Sequence, residues 1–129
     1  MTIDVGATAT RTKTFTDDDV RAFAQTSGDS NPVHVDEDYA AGTQFGQRIV
    51  HGMLTASLIS ATIANDLPGL GTIYVSQSLQ FKAPVFINDT ITATVEVLAV
   101  RRKFVTLATQ CANQNGTLVI DGEAVVLLP

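Results

Sequence analysis

Residues Phe23 to Ser60 read FAQTSGDSNPVHVDEDYAAGTQFGQRIVHGMLTASLIS. From His51-Gly52 this stretch opens the longest apolar run of the chain. Met53, Leu54, Ala56, Leu58, Ile59, Ala61, Ile63 and Ala64 go all the way round a helix that is expected to reach about Asn65. A helix apolar on every side is expected to be buried on every side. Leu67-Pro68-Gly69 ends it. Ahead of the helix, Pro32 pushes Asn31 out of the helical region, so Asp29–His34 reads as an ordered, extended turn. Asp36 then caps a short helix, Glu37–Ala41, and residues 42–48 form a polar loop.

Upstream, Ala7–Phe15 reads as an edge strand. Thr16 caps a helix whose first turn holds Asp17, Asp18 and Asp19, where the helix dipole favours negative charge. Val20, Phe23 and Ala24 give that helix one apolar face, and Ser27-Gly28 stops it. Downstream the period changes from helix to strand. Thr72–Phe81 is a strand with a bulge or bend at Lys82-Ala83-Pro84, because proline cannot donate to a ladder. Thr90–Val100, Phe104–Ala112 and Thr117–Leu128 follow as strands, parted by turns at Asn88-Asp89, Arg101-Arg102-Lys103 and residues 113–116. The expected architecture is α+β, an antiparallel sheet wrapped around one long helix, with residues 1–129 forming one domain. Such a sheet leaves edges exposed, and pairing two copies would cover one edge of each, so a homodimer is expected.

The composition narrows the possible functions. Of 129 residues, 45% are hydrophobic and 16% charged, which places the chain among globular proteins. A net charge of -5 argues against a nucleic-acid partner, which needs a clustered basic face, but leaves room for an anionic small molecule held by local cations. Cys111 is the one cysteine; it sits in an alternating strand, pairs with nothing in the chain and suits a reducing compartment. The first residues contain no apolar signal segment, and the run after Ile49 is too interrupted to span a membrane. A cytoplasmic protein with no membrane partner is the expectation.

Asp29 and His34, five residues apart on a stiffened turn, offer a carboxylate base and a ring that exchanges protons near neutral pH. Such a pair can move the two protons of a water addition or loss. Equally, Asp29 or Asn31 can close an Asx turn while His34 packs beside it. Gly52, at the start of the long helix, has either of two uses. A ligand can approach the unpartnered first-turn N–H groups there, or the helix can pack closely on the sheet. His51 reads as an orienting or capping histidine. Two histidines seventeen positions apart with scattered acids do not spell a metal site. There is no phosphate-binding glycine loop and no Gly-x-Ser-x-Gly elbow. Ser57 and Ser60 lie one turn apart on the helix, where serines commonly bond back to their own backbone.

Phe23-Ala-Gln-Thr-Ser-Gly-Asp29-Ser-Asn31-Pro32-Val-His34, then Tyr39-Ala40 and Ile49-Val-His51-Gly52-Met53, resembles the hydratase-2 motif of MaoC-like dehydratases. The resemblance is nearest to the short (R)-specific enoyl-CoA hydratases and runs from about Phe15 to the C-terminus, taking in Ser76–Val85 and Gly122-Glu-Ala-Val-Val. Asn88-Asp89 departs from the usual Gly-Asp, and Asn tolerates the same left-handed turn. What the resemblance implies is a hot-dog fold, a homodimer, an acyl-CoA thioester as substrate and no cofactor. It implies that Asp29 and His34 hold the water, Asp29 as base and His34 as acid, and that the Gly52 N–H binds the thioester oxygen. Ser60 is implied near the pocket, with Asn31 and His51 also expected around the substrate. Both protons on one face give syn hydration of a trans-2-enoyl-CoA to the (3R)-hydroxyacyl-CoA. The alternatives are a dehydratase of acyl-carrier-protein substrates, docked through Arg48, Arg101, Arg102 and Lys103, a thioesterase, and a non-catalytic acyl-thioester binding module. Acyl length is expected to depend on residues such as Ser60, Ile63 and Val126. Polyester precursor supply and fatty-acid breakdown both remain open as pathways.

Overall fold

The long helix α4, Gly52–Asn65, lies along the concave side of a single antiparallel sheet in a computed structural model that describes residues 2–129. The sheet order is β1 (Thr8–Thr14), β4 (Thr90–Arg101), β5 (Phe104–Ala112), β6 (Leu118–Leu127) and β2 (Ile73–Gln77), with the two-residue β3 (Gln80–Phe81) also paired to β6. The sheet wraps one helix, the arrangement called hot-dog, and α4 packs on β4, β1 and β5.

Alternation writes the core. In β4, Ile91, Ala93, Val95 and Val97 point inward with no exposure, and Val105, Leu107 and Cys111 of β5 do the same beside them. A register shift between Val97 and Ala99 breaks the period, and beyond it β4 runs out of the core. Ile59 and Ile63 of α4 fill the layer above. Burying one such side chain stabilises by roughly 1.5–3 kcal/mol. Cys111 is inert as a nucleophile, since burial pushes its thiol up to about 12.

The segment order before α4 follows from capping. Thr16 and Asp19 form a reciprocal capping box on α1, Asp17–Ser27. Gly28 takes the left-handed conformation (φ 82°) that ends it. The Asp29–His34 stretch differs from the extended turn expected. Asn31 is non-helical, but Pro32 starts a one-turn helix, α2 (Pro32–Val35), because proline's fixed φ and missing N–H suit the first helical position. Asp36 caps α3, Glu37–Ala41, through the Tyr39 N–H.

Two expectations need correction. The helix α4 is not buried on every side: Thr55, Leu58, Ile59, Thr62 and Ile63 are covered, while Met53, Ser57 and Ala64 form an open stripe, with Met53 58% exposed. The strand expected over Thr72–Phe81 is two pieces, broken at Ser78-Leu79, before the Lys82–Pro84 segment. The break has a partner in β6. A Cβ on Gly122 would lie 1.9 Å from the Ser78 carbonyl oxygen, so the chain passes directly over a bare backbone. Ser78 N–H is bonded to Glu123 O, which holds the crossing shut.

Gly122→Ala therefore has no room to relax without moving backbone. It is expected to cost about 3 kcal/mol or more of stability. Urea denaturation checks this, and a midpoint equal to that of the unsubstituted protein would contradict the crossing.

Candidate functional site

The turn after α1 is a chain of side-chain-to-backbone bonds. The Ser27 hydroxyl donates to Phe23 O (2.6 Å) and accepts from Asp29 N–H (3.1 Å). Asp29 Oδ1 accepts from Asn31 N–H (3.2 Å), and Asn31 Oδ1 accepts from Val33 N–H (3.3 Å). The Asx-turn reading of Asp29 and Asn31 thus holds. Asn31 spends its side-chain oxygen on capping α2 and does not line the cavity described below, so it is not placed as a substrate contact. Asp29, by contrast, is exposed and uses one carboxylate oxygen in the turn, leaving the other available.

His34 is 8% exposed, and its Nδ1 donates to Ile49 O at 2.8 Å. A carbonyl only accepts, so the proton on that nitrogen is fixed and Nε2 is the free one. His51 is 1% exposed and lies against His34, ring centroids 3.9 Å apart and planes 28° apart. Its Nε2 donates to the backbone carbonyl of Asp29 at 3.0 Å, and the edge of Phe23 closes its other side at 4.8 Å. Burial, above all, lowers the His51 pKa, with the neighbouring His34 adding to it.

Asp29, His34 and His51 therefore meet, although seventeen residues separate the histidines: their ligand-type atoms all lie within 4.8 Å of one another. The spacing argument on the sequence gave no sign of this cluster. It is poorly shaped for a metal ion, since stacked rings send their lone pairs side by side rather than to one point, and each ring has one nitrogen committed to a carbonyl. It is well shaped for water. One molecule with two hydrogen bonds of about 2.8 Å spans such a gap.

A cavity of about 530 Å³ opens beside the cluster, lined by Asp29, His51, Gly52, Phe45, Phe81 and Lys82 among others. His34 is not among its lining residues; it stacks on His51, which is. Gly52 is the first residue of α4, which has no side-chain cap. A Cβ there would lie 2.6 Å from Cε1 of Phe81, so close packing does require this glycine. Its N–H is also an unpartnered first-turn donor, and the residue lines the cavity. Ser60 lies elsewhere. It borders a second cavity of about 460 Å³ with Ser57, Tyr74, Val75 and Leu79, and the structure does not bring it to Asp29 and His34. Met53 borders both cavities. Ile63 and Val126 are fully packed in the core and line neither.

Sequence reasoning missed Arg48, which it assigned to a surface docking patch. The guanidinium is 5% exposed: Nε donates to His34 O (2.6 Å), Nη2 to Asp17 Oδ1 (2.6 Å) and Nη1 to Glu37 Oε1 (3.5 Å). One buried cation thus ties α1, α2 and α3 together, and a lone arginine in a polar loop carries no pattern that would reveal this. Its hydrogen bond is the main cause holding the Asp17 carboxyl below the usual carboxylate range.

The family model described as "MaoC like domain" matches residues 2–117. An (R)-specific enoyl-CoA hydratase of Rhodospirillum rubrum is 53% identical over 129 residues, covering 98% of this chain and 89% of its own. One from Aeromonas caviae is 49% identical, covering 100% and 98%. A solved structure titled as the (R)-hydratase from A. caviae involved in PHA biosynthesis superposes with a TM-score of 0.96 at 50% identity, covering 98% of each chain.

Arg48→Met is expected to leave the His34 carbonyl unpaired and cost about 1–3 kcal/mol at neutral pH. Asp17 has a depressed folded-state pKa, so its stabilising share is present above the unfolded carboxylate value, near 4, and is lost as pH falls through the lower folded value. The stability gap between Arg48→Met and the unsubstituted protein therefore narrows below about pH 4. Chemical denaturation at a series of pH values measures it; a gap that widens in acid would contradict the ion pair.

Proposed function

The chain belongs to the MaoC-like domain family, and from that premise we propose that it is an (R)-specific enoyl-CoA hydratase with Asp29 and His34 as its proton-transfer pair. The observation that carries the reading is the gap between Asp29 and His34, within 4.8 Å, beside the first turn of α4. A water held there gives one proton to the free oxygen of the Asp29 carboxylate while its oxygen bonds to C3 of a trans-2-enoyl thioester. The electron pair of the C2–C3 double bond shifts towards the thioester carbonyl, whose oxygen takes the Gly52 N–H. C2 then receives the Nε2 proton of His34 in its doubly protonated, imidazolium form, which leaves the ring neutral with Nδ1–H still held by Ile49 O; exchange with solvent takes the proton off Asp29 and returns one to Nε2. The water oxygen and the proton on C2 come from one side, so addition is syn; the (3R) configuration is carried over from the (R)-specific relatives. No step calls on a cofactor.

A second copy of the chain completes this reading. The outer edge of β2 is unpaired, with Ile73 60% and Val75 53% exposed, and the open stripe of α4 lies beside it. An exposed, apolar edge strand is a ready template for pairing, and covering it with an identical edge is the economical closure. No helix among the described residues is long and apolar enough to cross a membrane.

Asp29→Asn and His34→Ala are each expected to reduce hydration of a short trans-2-enoyl-CoA by at least about 10²-fold; Asp29→Asn keeps the unsubstituted melting profile, whereas His34→Ala, which deletes a buried ring bonded to Ile49 O, melts lower but still cooperatively. Loss of enoyl-thioester absorbance follows the rate, and chiral analysis identifies the product; an (S) product, or full activity in either variant, defeats the assignment. Running the same assay with an acyl-carrier-protein substrate decides the carrier. Gly52→Ala keeps the N–H but is expected to push Phe81 off the helix start and, by displacing that donor, to cost about 10²-fold in kcat. Light scattering is expected to show a particle of two chains, and a single-chain mass at working concentration would remove the dimer.

A further inference from the structure

We propose that His51 is a positioning residue of the hydration reaction, one buried ring that holds the Asp29 backbone through Nε2–H and the His34 ring by stacking. The inference rests on the hydratase reading and goes beyond it, since that reading needs only Asp29, His34 and Gly52. Two observations carry it. The Nε2–H of His51 reaches the Asp29 carbonyl, 3.0 Å away, from twenty-two residues along the chain. The same ring lies 3.9 Å from His34, so a single side chain touches both members of the proposed pair. Phe23 packs against it edge-on at 4.8 Å, and the residue is 1% exposed.

The residue type fits this work. A phenylalanine fills the same space and stacks equally, but cannot hold a carbonyl. A glutamine can hold the carbonyl, but does not stack. Histidine does both, and it does so at a cost: His51 Nδ1 is buried and has no partner among the described residues. An unpaired buried acceptor is disfavoured, so packing alone does not account for a histidine here. A ring held on one face by His34 and on one edge by Asp29 is poorly placed to trade protons with substrate. It acts through the other two. The titratable groups that face it are Asp29 and His34, with Lys82 on the wall of the same cavity and Arg48 bonded to the far side of His34.

The test separates the two contacts. His51→Phe keeps the stack and deletes the carbonyl tie; His51→Gln keeps a donor and deletes the stack. With a short trans-2-enoyl-CoA, His51→Phe is expected to lose about 10–100-fold in kcat with KM within about twofold, the size of effect that displacing a reacting group produces. The pH profile of kcat/KM is expected to stay in place for His51→Phe and to move for His51→Gln, because only the latter removes the ring lying on His34. Thermal melts accompany both. A kcat within about twofold of the unsubstituted enzyme in His51→Phe overturns the tie to Asp29. An unmoved pH profile in His51→Gln overturns the hold on His34, and that measurement decides alone if His51→Phe does not fold. Turnover by the unsubstituted protein is the internal reference: its absence sinks the hydratase reading itself, whereas the variants judge only His51.

Discussion

Three backbone carbonyls hold the candidate site together. Arg48 Nε takes His34 O, His51 Nε2 takes Asp29 O, and Ile49 O takes His34 Nδ1. All three bonds link the stretch 48–51 to the turn 29–34. A short turn on a protein surface is normally mobile, because its polar groups bond to water and little holds its ends. Here the segment that leads into α4 is laced to the turn from behind, so the first turn of that helix and the Asp29–His34 pair share one rigid support. The position of Gly52 relative to Asp29 follows from this lacing rather than from the sheet.

The sheet supplies the depth behind it. The alternating apolar side chains of β4 and β5 bury the covered face of α4, and this fixes which face the helix turns inward. The other face stays open beside an unpaired β2, and there the two cavities meet at Met53. An apolar helix therefore does not imply burial within one chain. The composition of α4 describes the surroundings it needs, and a sheet of this size covers about half of them. The remaining apolar stripe lies beside the exposed edge of β2, and the two form one uncovered surface.

Much of this was legible in the residues, for local reasons. Strand periods, the capping box at Thr16 and Asp19 and the Gly28 stop are all set by neighbours within a few positions, so sequence alone exposes them. Asp29 and His34 were legible because Pro32 lies between them, although the same proline starts a helical turn rather than an extended one. What stayed hidden depends on partners far along the chain. Arg48 reaches Asp17, thirty-one residues away, and a lone arginine in a polar loop looks the same whether solvated or buried. His51 meets His34 only because α2 folds back across the entry to α4. Ser60 was placed by resemblance, and within one chain it opens onto the other cavity.

Structural and chemical readings of the same residue are often set against each other, and this turn shows why that is a false choice. Asp29 gives one carboxylate oxygen to the Asn31 N–H and keeps the other. His34 gives Nδ1 to a carbonyl and keeps Nε2. Each proposed reacting group has two ends, one spent on position and one left for chemistry. A bond to the first end removes rotamer freedom before substrate arrives, so less order remains to be created at the moment of reaction. It also decides which end is free: with Nδ1–H held by Ile49 O, the His34 ring can meet substrate only through Nε2. The Asx turn and the buried histidine are therefore the means by which the acid–base pair is set, rather than competitors to it.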